Sequence, residues 1–234
     1  QGAREVVGLM SDALNLSEVD NPSSIAKLQT GAATAQIPVD HDDAVMVLYK
    51  QGGNDSLKER AQFALLGEML SAPFYNSLRT EKQLGYVVSA FTSHLGPVPG
   101  LTLLAQSPVA NEGELRKEFD GFLDSYREQV GALTPEDLQR YQTSILGSLE
   151  EKPKNLSEMN GRFLESLNMG YQSFDFRQQL AAAIRDISVL ELKEAYGGLL
   201  ADESRSLWLK TAESDQPNTA VDMRVGSDTY NYDF

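Results

Sequence analysis

The sequence predicts an α+β domain, a two-layer α/β sandwich in which helices cover one face of a mostly antiparallel sheet. Three observations carry this reading. Two pairs of β-rich stretches flank a helical one, an unbroken series of amphipathic helices follows residue 110, and a short apolar β-like run comes after them. At 234 residues, 41% hydrophobic and 23% charged, the chain is long enough for a substantial core and too apolar to be mostly disordered.

Residues 4–14 place Val6, Val7, Leu9, Met10 and Leu14 at helical spacing, closed by Asn21-Pro22. Ile25 to Val39 and Ala44 to Lys50 read as a β-hairpin joined by Asp40-His41-Asp42-Asp43. A helix is expected from Ser56 to Leu70, interrupted at Pro73, with a second short one from Phe74 to Gln83. Tyr86 to Leu95 and Leu101 to Gln106 form a second hairpin around Gly96-Pro97-Val98-Pro99-Gly100. Leu115, Phe119, Phe122, Leu123, Tyr126 and Val130 are the core stripe of a long helix. Thr134-Pro135-Glu136-Asp137 starts the next helix, and Pro153 stops it. Further helices are predicted over 156–169, 176–185 and 189–200, the last behind the capping box Ser188 to Glu191. Ser204 to Lys210, with the only Trp, is the final strand. The resulting division is a linker helix over 1–20, the α+β domain over 21–210, and an acidic, loosely held tail over 211–234.

Charge excludes some partners. Lys and Arg total 20 against 34 Asp and Glu, a net charge of −14, the wrong sign for holding duplex nucleic acid or an anionic membrane. There is no cysteine, which removes disulfides, thiolate metal sites and thiol nucleophiles. No apolar run approaches the roughly 20 residues of a membrane span, so no membrane insertion is expected. The first residue is Gln1 rather than Met, so a processed product or a segment of something longer is expected.

Free-standing catalytic machinery is sparse. The two histidines, His41 and His94, lie far apart, without a second histidine at zinc-ligand spacing, and His41 reads as part of an Asp-rich turn. Gln51-Gly52-Gly53-Asn54 has the look of a phosphate-loop fragment, but a strand-to-helix turn needs glycine for backbone reasons alone. Glu150-Glu151 and Asp202-Glu203 read as solvated helix ends.

One run is distinctive: Leu78-Arg79-Thr80-Glu81-Lys82-Gln83-Leu84-Gly85-Tyr86, preceded by a helix and followed by a strand. It resembles the L-R-T-x-x-Q-L-G-Y segment near the start of the C-terminal domain of the insulinase and pitrilysin family of zinc endopeptidases. The surroundings agree: LYKQGG, Gln106-Ser107-Pro108, Leu133-Thr134-Pro135-Glu136, and Glu151-Lys152-Pro153-Lys154 before Leu156-Ser157 are similar too, so the resemblance covers residues 20–210. Members of that family close two similar halves around a peptide, and their zinc sits in the first domain on an inverted H-x-x-E-H helix. The helix in the equivalent place here offers Glu68 and no His. The resemblance is therefore to the fourth, non-metal domain.

It implies specific roles in the intact enzyme. Arg79 would bind the substrate backbone, Tyr86 would bind substrate and stabilise the oxyanion catalytically, and no residue of this chain would bind metal, the zinc belonging to the N-terminal half. The implied partners are that N-terminal catalytic half and peptide substrates. This chain alone is expected to be inactive, and the implied compartment is the periplasm, with the cytoplasm as the alternative. On residue type alone, Arg79 is a helix-end cation paired with Glu81 or Glu68 and Tyr86 a half-buried strand aromatic. Gly85 answers either to a positive φ or to a close backbone approach. The alternative function is a non-catalytic peptide-binding or scaffold subunit of such an assembly. Within the enzyme reading, a maturation protease with one dedicated peptide, as in pyrroloquinoline quinone synthesis, is a further possibility.

Overall fold

The structure is a computed structural model that describes residues 23–171, 173–201, 204–212 and 225–232, with positions 5, 8–10 and 13 ahead of them. Those five early positions are helical, and the rest of the expected linker helix lies outside the described residues. The strands are β1 (Ser23–Leu28), β2 (Gly31–Pro38), β3 (Ala44–Gln51), β4 (Val87–Leu95), β5 (Val98–Ser107), β6 (Arg205–Ala212) and β7 (Val225–Tyr232). The labelled helices are α1 (Leu57–Tyr75), α2 (Glu112–Gly131), α3 (Pro135–Glu150), α4 (Leu156–Asn168), α5 (Phe176–Asp186) and α6 (Val189–Leu200). A π-helical turn, Asn76–Glu81, continues α1.

Five strands form one sheet in the order β2-β6-β3-β5-β4, antiparallel except that β2 runs parallel to β6. The sheet is thus mixed. The first expected hairpin does not form: β6 lies between β2 and β3, with Leu209 opposite Ala35 on one side and Val47 on the other. The reason is burial. β6 carries the buried Trp208 and Ser206 at the middle of the sheet and needs a ladder on both edges, whereas the polar 40–43 turn only has to connect two strands that end near one another. The Ile25 to Val39 stretch also divides, because Gly31 takes a φ of 100°. Its first part, β1, pairs antiparallel with β7, so residues 225–232, expected in the loose tail, form a strand; residues 213–224 and 233–234 lie outside the described residues. Gln51 ties this ribbon to the main sheet: its amide oxygen accepts from Leu28 N at 2.8 Å and its amide nitrogen donates to Ala26 O at 3.0 Å.

The core lies on one sheet face. Met46, Leu48, Val88, Ala90, Leu101, Leu103, Ala105 and Trp208 alternate inward from the strands and meet α1 and α2, while the opposite face is only partly covered. Helix α1 is buried on most sides, with Leu65, Leu66, Leu70 and Phe74 wholly enclosed. Phe74 packs edge-on against Phe119 and Phe122, at 5.0 and 5.1 Å between centroids.

Pro73 does not interrupt α1, contrary to the sequence expectation. A proline in a helix leaves the carbonyl four residues earlier without its donor. Here that carbonyl is Met69 O, and the buried Tyr126 hydroxyl donates to it at 3.2 Å. A core side chain thus replaces the missing backbone donor. Elsewhere the end signals act locally, with capping boxes at Asn111 to Glu114, Thr134 to Asp137 and Ser188 to Glu191.

Two outcomes follow from these contacts. Tyr126→Phe leaves a buried carbonyl unsatisfied and should cost about 1–3 kcal/mol in chemical denaturation; with Pro73→Ala, which restores a backbone donor, the penalty should shrink. Lys58 first, then the Ser188 backbone N–H and hydroxyl, hold the Glu191 carboxyl down at about 2. Its contribution to stability is present above the unfolded value of 4.5 and lost as pH falls toward 2. An NMR titration should place its midpoint near 2, moving upward in Lys58→Ala.

Candidate functional site

The distinctive run occupies a change of backbone geometry between α1 and β4. In the π turn the hydrogen bonds lengthen by a residue, Lys82 N donating to Ser77 O at 3.1 Å. Gln83 then adopts a φ of 54°, and Leu84 N returns to Leu78 O at 3.0 Å. Leu78 is wholly buried and anchors the turn. Gly85 passes so close to β5 that an added Cβ would lie 1.8 Å from Gln106 O. Of the two reasons considered for Gly85, close approach is the one realised, and the positive φ falls on Gln83.

This path brings Arg79 and Tyr86 together. The Arg79 guanidinium carbon stands 4.7 Å from the centre of the Tyr86 ring, a cation–π contact. Tyr86 is 78% exposed, so the half-buried strand aromatic is not what forms. Nor does Arg79 take up Glu81 or Glu68. Glu68 accepts from the Ser144 hydroxyl at 2.7 Å, and the neighbouring cation, Lys82, pairs with Glu118. A cation–π contact does not itself use up the guanidinium's five N–H donors. The outcome is two donors side by side, a partly exposed guanidinium and an exposed phenol.

Sequence reasoning missed the parts that hold this pair. Ser107 is almost completely buried; its hydroxyl donates to Leu84 O and accepts from Val109 N and Ala110 N at 3.2 and 2.8 Å. It clamps the end of the turn onto β5. Its signal was the Gln106-Ser107-Pro108 run, noted for resemblance and given no role. Gln83 carried no signal of its own, since a left-handed residue other than glycine is not marked by type.

The other candidates are accounted for by structure. Gly53 N and Asn54 N donate to the Glu59 carboxylate at 2.6 and 2.8 Å, so the glycine loop already holds an anion supplied by the chain. His41 Nδ1 accepts from Asp43 N at 3.0 Å within its turn, and His94 lies at the far end of β4. Glu150 pairs with Arg185 and Glu151 with Lys154, while Asp202-Glu203 lies outside the described residues. Among the described residues no three His, Cys, Asp or Glu side chains converge as metal ligands, and no helix is long and apolar enough to cross a membrane. The residues in the zinc-helix position, with Glu68 engaged by Ser144 and no histidine on α1, do not fit a zinc ion. A cavity of about 480 Å³ opens between the end of α3, α4 and α5, and one of about 350 Å³ beside Lys50 and Arg205. Neither touches Arg79 or Tyr86.

Comparison with known proteins gives consistent relatives. A family model described as the PQQ synthase PqqF-like, C-terminal lobe domain 4, matches residues 65–164. Protease 3 of Salmonella typhi is 28% identical over 178 residues, which is 76% of this chain and 18% of that protein. The chain therefore spans less than a fifth of the curated relative's length. The crystal structure of pitrilysin superposes with a TM-score of 0.79 at 21% identity, covering 93% of this chain and 24% of that one. The peptidase M16 inactive domain from Pseudomonas fluorescens gives 0.58 at 12% identity, over 85% of this chain and 46% of that one.

Because the Gly85 position has no room for a methyl group, Gly85→Ala should destabilise the domain by about 1–3 kcal/mol and displace Tyr86. Thermal unfolding together with the loss of the Arg79–Tyr86 contact in a structure of the variant checks this.

Proposed function

We propose, from the premise that the chain is homologous to Protease 3 and carries the C-terminal lobe domain of insulinase-family peptidases, that it forms the non-metal wall of a peptidase chamber. Arg79 and Tyr86 are its contribution to the substrate. The single observation that carries this reading is their juxtaposition: two hydrogen-bond donors in contact, Tyr86 exposed and Arg79 partly so, on a turn anchored by the buried Leu78 and Gly85.

Their chemistry suits a peptide carbonyl. A guanidinium N–H donates to a ground-state carbonyl oxygen and keeps its charge at any working pH. A phenol O–H donates more strongly as negative charge develops on an oxygen, so a Tyr86 hydroxyl near the scissile carbonyl would favour the tetrahedral state over the planar one. Holding both donors on one rigid turn removes the cost of orienting them. Among the described residues no metal-ligating cluster stands ready to activate water, and the reading assigns that task to the N-terminal half of a parent enzyme, with any zinc located there.

A neighbouring half also accounts for α4. Its apolar side, Leu156, Met159, Phe163, Leu164 and Leu167, is exposed, Leu156 by 84%, as expected of a helix covered by another part of a longer polypeptide. A second reading, a peptide-binding scaffold without turnover, is favoured by the likeness to the inactive domain from Pseudomonas fluorescens.

In the intact parent, Tyr86→Phe should lower kcat by roughly 10 to 1000-fold with metal content unchanged, the scale for one oxyanion donor, and Arg79→Ala should chiefly raise KM. Steady-state kinetics on a fluorogenic peptide measures both. Unchanged kcat in Tyr86→Phe removes the phenol from the reaction.

A further inference from the structure

We infer that the cavity between the start of α1 and the end of α6 is a binding site for a small monocarboxylate, with the Arg205 guanidinium as its anchor. The site lies apart from the Arg79–Tyr86 pair, and the proposed function makes no use of it.

The cavity, of about 350 Å³, opens where β3 ends and β6 begins, with Glu59, Gln62 and Phe63 of α1 on one side and Ala195, Gly198 and Leu199 of α6 on the other. Its charge sets the sign of the ligand. The chain carries 34 acids against 20 bases, yet the charged residues lining this cavity, among the described residues, are two cations, Lys50 and Arg205, and one anion, Glu59. Glu59 is already engaged, both of its oxygens accepting from backbone donors of its own loop, Gly53 N and Asn54 N. Lys50 Nζ donates to Leu199 O at 2.5 Å and to Ser204 Oγ at 3.0 Å, and burial lowers its pKa against the pull of Asp120. Neither acceptor carries a charge, so they do not cancel the lysine's field.

Arg205 gives the stronger indication. Its Nε is enclosed and has no hydrogen-bond partner among the described residues. A buried donor without an acceptor is costly, and folded chains rarely keep one. The Arg205 side chain lines the cavity, and its Nη1 stands beside Gly53, 3.7 Å from where a Cβ there would lie. A small swing of the guanidinium about its stem would bring Nε–H and the neighbouring Nη–H to the cavity wall together. These two donors point the same way and match the two oxygens of a carboxylate.

The rest of the lining limits the ligand to one charge and a short apolar body. Phe63, Ala195, Leu199 and Ala201 supply apolar surface, and Gly198 has open space where a Cβ would stand. A phosphate dianion would face the Glu59 carboxylate and the C-terminal carbonyls of α6, both of its own sign. The shared chemistry is therefore one carboxylate on a short apolar group, as a free acid or as the last residue of a peptide.

The test adds butyrate or acetyl-alanyl-valine to the 234-residue chain and follows the Arg205 Nε–H resonance and the 195–201 backbone amides by NMR. Saturable shifts in the millimolar range are expected at both places. Tighter butyrate assigns the site to a free acid and tighter dipeptide to a peptide end, either supporting the inference. Butyramide and inorganic phosphate at the same concentration should leave the Nε–H resonance in place. Arg205→Lys, which keeps the charge and loses the fork, should weaken binding roughly tenfold at an unchanged melting temperature, and Gly198→Leu should fill the cavity and abolish binding. Equal shifts with butyramide or phosphate, unaltered affinity in Arg205→Lys or Gly198→Leu, or an Nε–H resonance that stays in place overturns the inference. So does an Nε–H resonance that Glu59→Gln displaces in the chain alone, because it would pair Arg205 within the chain.

Discussion

The contact between the Gly85 backbone and the Gln106 carbonyl governs how the exposed donors are presented. Residues 76–86 must bring a core helix to an end and start a sheet-edge strand within eleven positions, and they do so by widening the helix, reversing at Gln83 and lying flat on β5. Buried Leu78 holds one end of this path and Ser107 the other. With both ends fixed, the backbone carrying Arg79 and Tyr86 follows one path, and the Arg79 guanidinium comes to rest over the Tyr86 ring. The chemistry proposed for the pair depends on that fixity, because donors that had to be oriented during reaction would lose most of their advantage.

What could be read from the sequence divides by range. The Ser188 to Glu191 capping box, the helix start at Thr134 and the apolar stripe of α2 are written in residues a few positions apart, and the structure has them where the pattern places them, while the return strand expected over 101–106 begins earlier, at Val98, inside the expected turn. The insertion of β6 between β2 and β3 could not be read this way, since it joins segments about 170 residues apart and no turn residue records it. Pro73 misled for a related reason: its usual effect is cancelled by Tyr126, more than fifty positions later. The donor pair was legible as types, and only through the resemblance of the run from Leu78 to Tyr86. Its juxtaposition was not, because it depends on a π turn and a left-handed Gln83 that leave no compositional trace.

The surfaces this domain leaves open form a pattern. The apolar side of α4, the partly covered sheet face and the Arg79–Tyr86 pair all lie at the surface of the described residues. They are what a wall of a larger enclosure would present, apolar where another wall meets it and hydrogen-bonding where a peptide lies. The span of less than a fifth of Protease 3 fits the same picture.

The most direct measurement mixes this chain with a metal-bearing N-terminal half from the same parent and follows cleavage of a fluorogenic peptide, each part alone and both together. The account predicts turnover only after mixing, and its loss by at least tenfold when the added chain carries Tyr86→Phe. Turnover by this chain alone, or full turnover with the Tyr86→Phe chain, would contradict it.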